Sequence, residues 1–170
     1  MLMWRRKSEQ PLDELFRSLL QLGSPTGRYA GIPQHCMLEY EDYNQKICRC
    51  WLRTYPRGDR LVAIATDLSC RLSYGASVEN AIELVAREIC ERFQIRPQDL
   101  VMIEHYNWRG TEFCPLQDER AEHYDFVDLR WCRRKREFES PKWLRLSKDK
   151  VEELIGSPLS DWYTEAVTFS

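Results

Sequence analysis

Apolar residues Leu12, Leu15, Phe16, Leu19 and Leu22 recur at three- and four-residue intervals, which is one face of an α-helix. Pro11 suits the first helical position and Gly23 the residue just past the end. The following SPTGRYAGIPQ reads as a loop. Its glycines lack the Gly-Lys-Ser/Thr of a phosphate loop and the strand-to-helix setting such a loop needs. The pattern then changes to a period of two: Cys36, Leu38 and Tyr40 alternate with Glu39 and Glu41. DYNQ supplies turn chemistry. Beyond it Cys48, Cys50 and Leu52 share one face, and Ile47, Arg49, Trp51 and Arg53 the other. A hairpin turning at Tyr43 to Gln45 sets Leu38 opposite Cys50, Tyr40 opposite Cys48 and Glu39 opposite Arg49. That register joins small and apolar groups on one face and makes an ion pair on the other.

Arg57 to Asp59 forms a turn, and the nearly unbroken apolar run from Leu61 to Ala65 predicts a central strand covered on both faces. The clearest helix follows. Ser77 is a good N-cap, and Val78, Ala81, Ile82, Val85, Ile89 and Phe93 trace an apolar stripe. Glu83 with Arg87 and Glu88 with Arg92 are pairs on its solvated side. LVMIEHYNW reads as a strand, RGTEFCPLQDERAE as a long polar loop and HYDFVDLRWCRR as a further strand. The stretch RRKREFESPKW breaks the pattern. A short last helix is capped by Ser147 and stopped by Gly156. The order is α-β-β-β-α-β-β-α. It predicts an α+β fold, a two-layer sandwich with a mainly antiparallel or mixed sheet of about five strands and helices packed on one face. Residues 1–170 read as a single domain with flexible extremes at about 1–10 and 158–170.

Composition narrows the class. Hydrophobic residues make up 43% and charged residues 31%, the balance of an ordinary globular chain rather than a disordered or membrane one. MLMWRRKSEQ has its charges after its few apolar residues, the reverse of a secretory signal. The seven cysteines are odd in number, irregularly spaced and without a CxxC. Reduced thiols and a cytoplasmic setting are therefore expected, with no cofactor and no membrane partner.

Three clusters carry candidate chemistry. Cys48 and Cys50 point the same way on a strand, as two ligands of a soft metal would, but a closed site needs about two more and none stands at a recognised spacing. The expectation is core packing and no metal. His105, His123 and Asp125 lie on successive strands, with His123 and Asp125 on one face. Should His105 reach them, the set fits a metal-dependent enzyme or general acid–base chemistry. Such residues also occur routinely on a wet strand face. Arg133, Arg134, Lys135 and Arg136 are consecutive cations flanked by Trp131 and Trp143. Cations attract phosphates and aromatics stack on bases. Against this, Glu137, Glu139 and the acidic last helix stand close by, and the net charge is -2.

Many aromatics, balanced charge and no assembled catalytic motif lead to one expectation: a non-catalytic accessory module that binds a protein partner or itself. The alternatives are nucleic-acid binding through the basic run and an enzyme built on the His/Asp set.

Overall fold

A computed structural model describes the backbone of residues 2–43, 45–66, 78–107 and 122–159, and the side chains of 11–43, 45–66, 81–105 and 123–159. The elements are α1 (Leu2–Leu19), β1 (His35–Glu41), β2 (Ile47–Arg57), β3 (Arg60–Thr66), α2 (Val78–Phe93), β4 (Leu100–Asn107), β5 (Glu122–Asp128), β6 (Trp131–Cys132), β7 (Glu137–Phe138), β8 (Lys142–Leu146) and α3 (Lys148–Ile155). Six strands form one mixed sheet in the order β1-β2-β3-β4-β5-β8, and β6 and β7 form a separate two-stranded ribbon. The class is α+β. Only β3 and β4 run parallel, joined through α2; the other neighbours in the sheet are antiparallel.

The helices do not share one face. Leu61, Ala63 and Ala65 of β3 pack with Ile82, Val85 and Ile89 of α2. Val62 and Ile64, pointing the opposite way, pack with Leu12, Phe16 and Leu19 of α1 and with Val151, Leu154 and Ile155 of α3. The arrangement has three layers where two were expected. The reason is visible in β3 itself: a strand apolar at every position needs cover on both sides. The sheet also exceeds five strands. Lys142–Leu146 pairs with β5, burying Leu146 behind charged neighbours that hide its alternation.

Locally, several expectations hold. The β1–β2 register is the expected one, and Arg49 Nε lies 3.0 Å from Glu39 Oε1. Both pairs on α2 form, Glu83–Arg87 at 3.2 Å and Glu88–Arg92 at 3.1 Å. Ser147 Oγ accepts from Lys150 N, and Gly156 closes α3 with φ at 77°. Glycine suits that left-handed backbone, and a Cβ there would also sit 2.5 Å from Arg57 Nη1, so the guanidinium would have to move. Arg57 in turn donates to the Leu22 carbonyl, tying the chain after α1 to β2.

Two boundaries differ. α1 begins at Leu2 with Pro11 inside it. A proline forfeits one backbone hydrogen bond, but its fixed φ is itself helical. At the other extreme Leu159 is buried and its N–H donates to Glu152 Oε2 at 2.7 Å, so residue 159 is anchored. Residues 160–170, the cap at Ser77, the polar loop after β4, and the side chains of Val78 and of residues 1–10 lie outside the described residues.

Candidate functional site

The β1–β2 end of the sheet is built by the hairpin pattern. Thr54 N donates to Gln34 O and Asp42 N to Lys46 O, each at 2.9 Å. Both pairs lie in the β1–β2 register, so the even-numbered residues of β1 exchange backbone bonds with β2. The alternation then turns the N–H and C=O groups of Met37, Glu39 and Glu41 away from β2, toward the outer edge. Among the described residues no strand pairs with that edge. The same odd-numbered residues project their side chains onto the face carrying Ile47, Arg49 and Trp51. Ile47 is 71% exposed, Tyr43 at the hairpin tip 62% and Met37 39%, the three large hydrophobic side chains most open to solvent among the described residues.

The opposite face of the hairpin is closed. Leu38, Tyr40, Cys50 and Leu52 are buried against the α2 core, and Cys36 and Cys48 pack beside it. Cys50 is fully in the core, whereas Cys48 is half-buried, its Sγ 3.8 Å from Asp42 Oδ2. Burial raises the Cys36 thiol pKa and pushes that of Cys90 up to about 12, so both stay protonated thiols at neutral pH.

The His/Asp set is divided by the pleat. β4 and β5 do pair, but Glu104 stands opposite Asp125 and His105 opposite Tyr124. His105 therefore points to the α1/α3 face, away from His123 and Asp125. There it is fully buried, stacked on Tyr124 with ring centroids 4.5 Å apart. Its Nδ1 lies 3.2 Å from Thr66 Oγ1 and 3.4 Å from Arg53 Nη2. Burial, with the Arg53 charge beside it, lowers its pKa to about 3 and keeps the imidazole neutral.

On the α2 face a different group assembles. Arg145 Nε bonds Asp125 Oδ1 at 2.7 Å, and Arg145 Nη1 lies 2.5 Å from His123 Nδ1. Glu104, 2% exposed, accepts from Trp143 Nε1 at 3.1 Å. Desolvation pushes its pKa up to about 7, although the Trp143 bond acts the other way. Of the set His105, His123 and Asp125, His123 and Asp125 share a face as expected and both meet Arg145, while His105 lies on the other side. Arg145, which joins Asp125 to His123, sits on the strand that charged neighbours conceal. Among the described residues no three His, Cys, Asp or Glu side chains converge as a metal site would need.

The basic run forms the turn between β6 and β7. Arg133, Arg134, Lys135 and Arg136 are all exposed, and Arg136 takes a positive φ of 54°. No ion pair joins them to Glu137, Glu139 or α3 among the described residues; Lys150 of α3 instead meets Glu153 of the same helix. The two flanking tryptophans are already engaged. Trp131 lies edge-on to Phe138 at 5.0 Å and under the Arg87 guanidinium at 5.7 Å, and Trp143 is held by Glu104.

No family model matches the chain, and neither a curated protein nor a solved structure is significantly similar to it. No helix among the described residues is long and apolar enough to cross a membrane.

Proposed function

We propose that the protein is a non-catalytic binding module whose working surface is the β1–β2 end of the sheet. It takes an extended segment of a protein partner as an additional strand beside β1. The observation that carries this reading is the coincidence of two features on one strand. Met37, Glu39 and Glu41 turn their backbone groups to the outer edge, and Met37 and Ile47 expose apolar side chains beside it. Strand addition draws affinity from the backbone bonds and specificity from alternate side chains. Glu41, exposed beside the Glu39–Arg49 pair, favours a partner with Lys or Arg opposite it. A heptapeptide of alternating lysine and valine is a direct probe. Titrated against the whole chain, it should shift the amide resonances of Met37, Glu39 and Glu41 and lose binding to Met37→Pro, which deletes one outward N–H. Unmoved β1 amides across the titration would rule out the reading. Self-association through β1 would instead appear as concentration-dependent mass without peptide.

A second reading has its own support. Four exposed cations on a ribbon turn, with no acid pairing them among the described residues, fit the phosphates of a nucleic acid. With Trp131 and Trp143 engaged, this reading is narrowed to backbone contact, which favours duplex over unstacked bases.

A further inference from the structure

A cleft of about 300 Å³ opens at one end of the sheet, where the starts of β3 and β4, the end of β5 and the last turns of α1 meet. Its volume is at the small end of ligand sites. One wall is apolar: Leu15 and Leu19 of α1, with Phe126 of β5. The polar lining includes two guanidiniums, Arg60 and Arg130, and the neutral amide of Gln98. Asp128 also lines the cleft, but Arg130 Nε meets its Oδ2 at 3.2 Å, so that carboxylate is balanced. Arg60 is half-buried, and no ion pair or hydrogen bond engages its side chain or that of Gln98 among the described residues. The site thus presents one unbalanced guanidinium and one amide above an apolar floor.

We propose that this cleft binds a small amphipathic organic anion, a short apolar body ending in a carboxylate. The body lies against Leu15, Leu19 and Phe126, and the carboxylate meets Arg60, whose planar fork matches two carboxylate oxygens. Gln98 supplies a further donor. The proposal is independent of strand addition at β1.

Octanoate is the probe, titrated into the whole chain and followed through backbone amide resonances. The expected result is saturable binding of one molecule per chain, with shifts centred on Leu15, Leu19, Arg60 and Gln98. Octanol, which lacks the charge, and inorganic phosphate, which lacks the apolar body, should each bind about tenfold more weakly or worse. Arg60→Gln should weaken octanoate by about tenfold or more, and Leu15→Trp, which fills the cleft, should remove binding. Failure of octanoate to saturate, equal binding of octanol, shifts centred away from the cleft, or an Arg60→Gln variant that binds as before would each overturn the proposal. The comparison of the three probes uses the unaltered chain and so stands even if a variant does not fold.

Discussion

The middle of the sheet and its β1–β2 end are made of similar strands and differ in what covers them. At β3 and β4 a helical layer lies on each face, and Leu61 through Thr66 are all buried. At β1 and the first half of β2 one face is closed by the α2 core while the other exposes Met37, Ile47 and the Glu39–Arg49 pair. The same apolar residue type therefore does two things. In the middle, isoleucine holds the layers together. At the end, Ile47 contributes surface. With the β1–β2 end as the proposed binding surface, stability and recognition would be spatially separated, so that each could be altered without the other.

The largest effect should come from deleting side chains in the middle. Ile82→Ala or Ile64→Ala removes a fully buried side chain, at a cost of about 2–5 kcal/mol. Ile47→Ala should change stability by less than about 0.5 kcal/mol. Denaturant titration of the three variants measures this, and similar losses would erase the distinction between the two regions.

The next effect concerns the acid enclosed in the middle. An acid whose pKa is raised on folding holds its proton in the native state where the unfolded chain has lost it, so its contribution falls as pH rises from its ordinary 4.5 to about 7. At about 1.4 kcal/mol per pH unit across that window, Glu104→Gln should stabilise the protein by about 3–4 kcal/mol at pH 8 and leave it unchanged near pH 4. The Gln side-chain oxygen still accepts from Trp143. His105 acts in the opposite sense: its pKa is lowered from 6.5 to about 3, so the stability its neutral form brings is lost as pH falls through that window. The two partly cancel between 4.5 and 6.5, which is why the comparison must be made between variant and parent at each pH. A Glu104→Gln variant with the parent's pH profile would mean that the carboxylate is not enclosed.

A smaller effect tests whether the ribbon turn rivals the hairpin edge as a binding surface. Removing two phosphate contacts on duplex DNA should flatten the salt dependence of binding by about two log units per log unit of salt. An Arg133→Ala/Arg134→Ala double variant measures it. If the parent does not bind duplex at low salt, the nucleic-acid reading falls and the protein-partner reading stands alone.

Much of this was legible along the chain. The hairpin register could be read because side chains alternate strictly there, and a one-residue slip would have put Glu39 and Glu41 into the core. The α2 stripe, the Ser147 cap and the Gly156 stop were legible for equally local reasons. The two-sided cover of the sheet was also written in β3, yet grouping strands before and after a helix favoured two layers. What local patterns could not convey was pairing between distant strands. His105 and Asp125 looked like neighbours until the β4–β5 register put Tyr124 opposite His105. Arg145 and Trp143, which complete the α2-face network, lie on a strand of five residues among charges. The exposure of Ile47 was not legible either, since an apolar residue alternating with arginine reads the same whether a helix lies over that face or not.

Native-state hydrogen exchange along β1 tests the central claim most directly, because it reads each backbone N–H separately. If β1 is an open edge, the amides of Met37, Glu39 and Glu41 exchange quickly while those of Leu38 and Tyr40, bonded to β2, are protected. Saturation with the lysine–valine heptapeptide should then slow the first group and leave the second unchanged. Uniform protection of all five amides in the protein alone would show that the edge is already occupied, and would contradict the account.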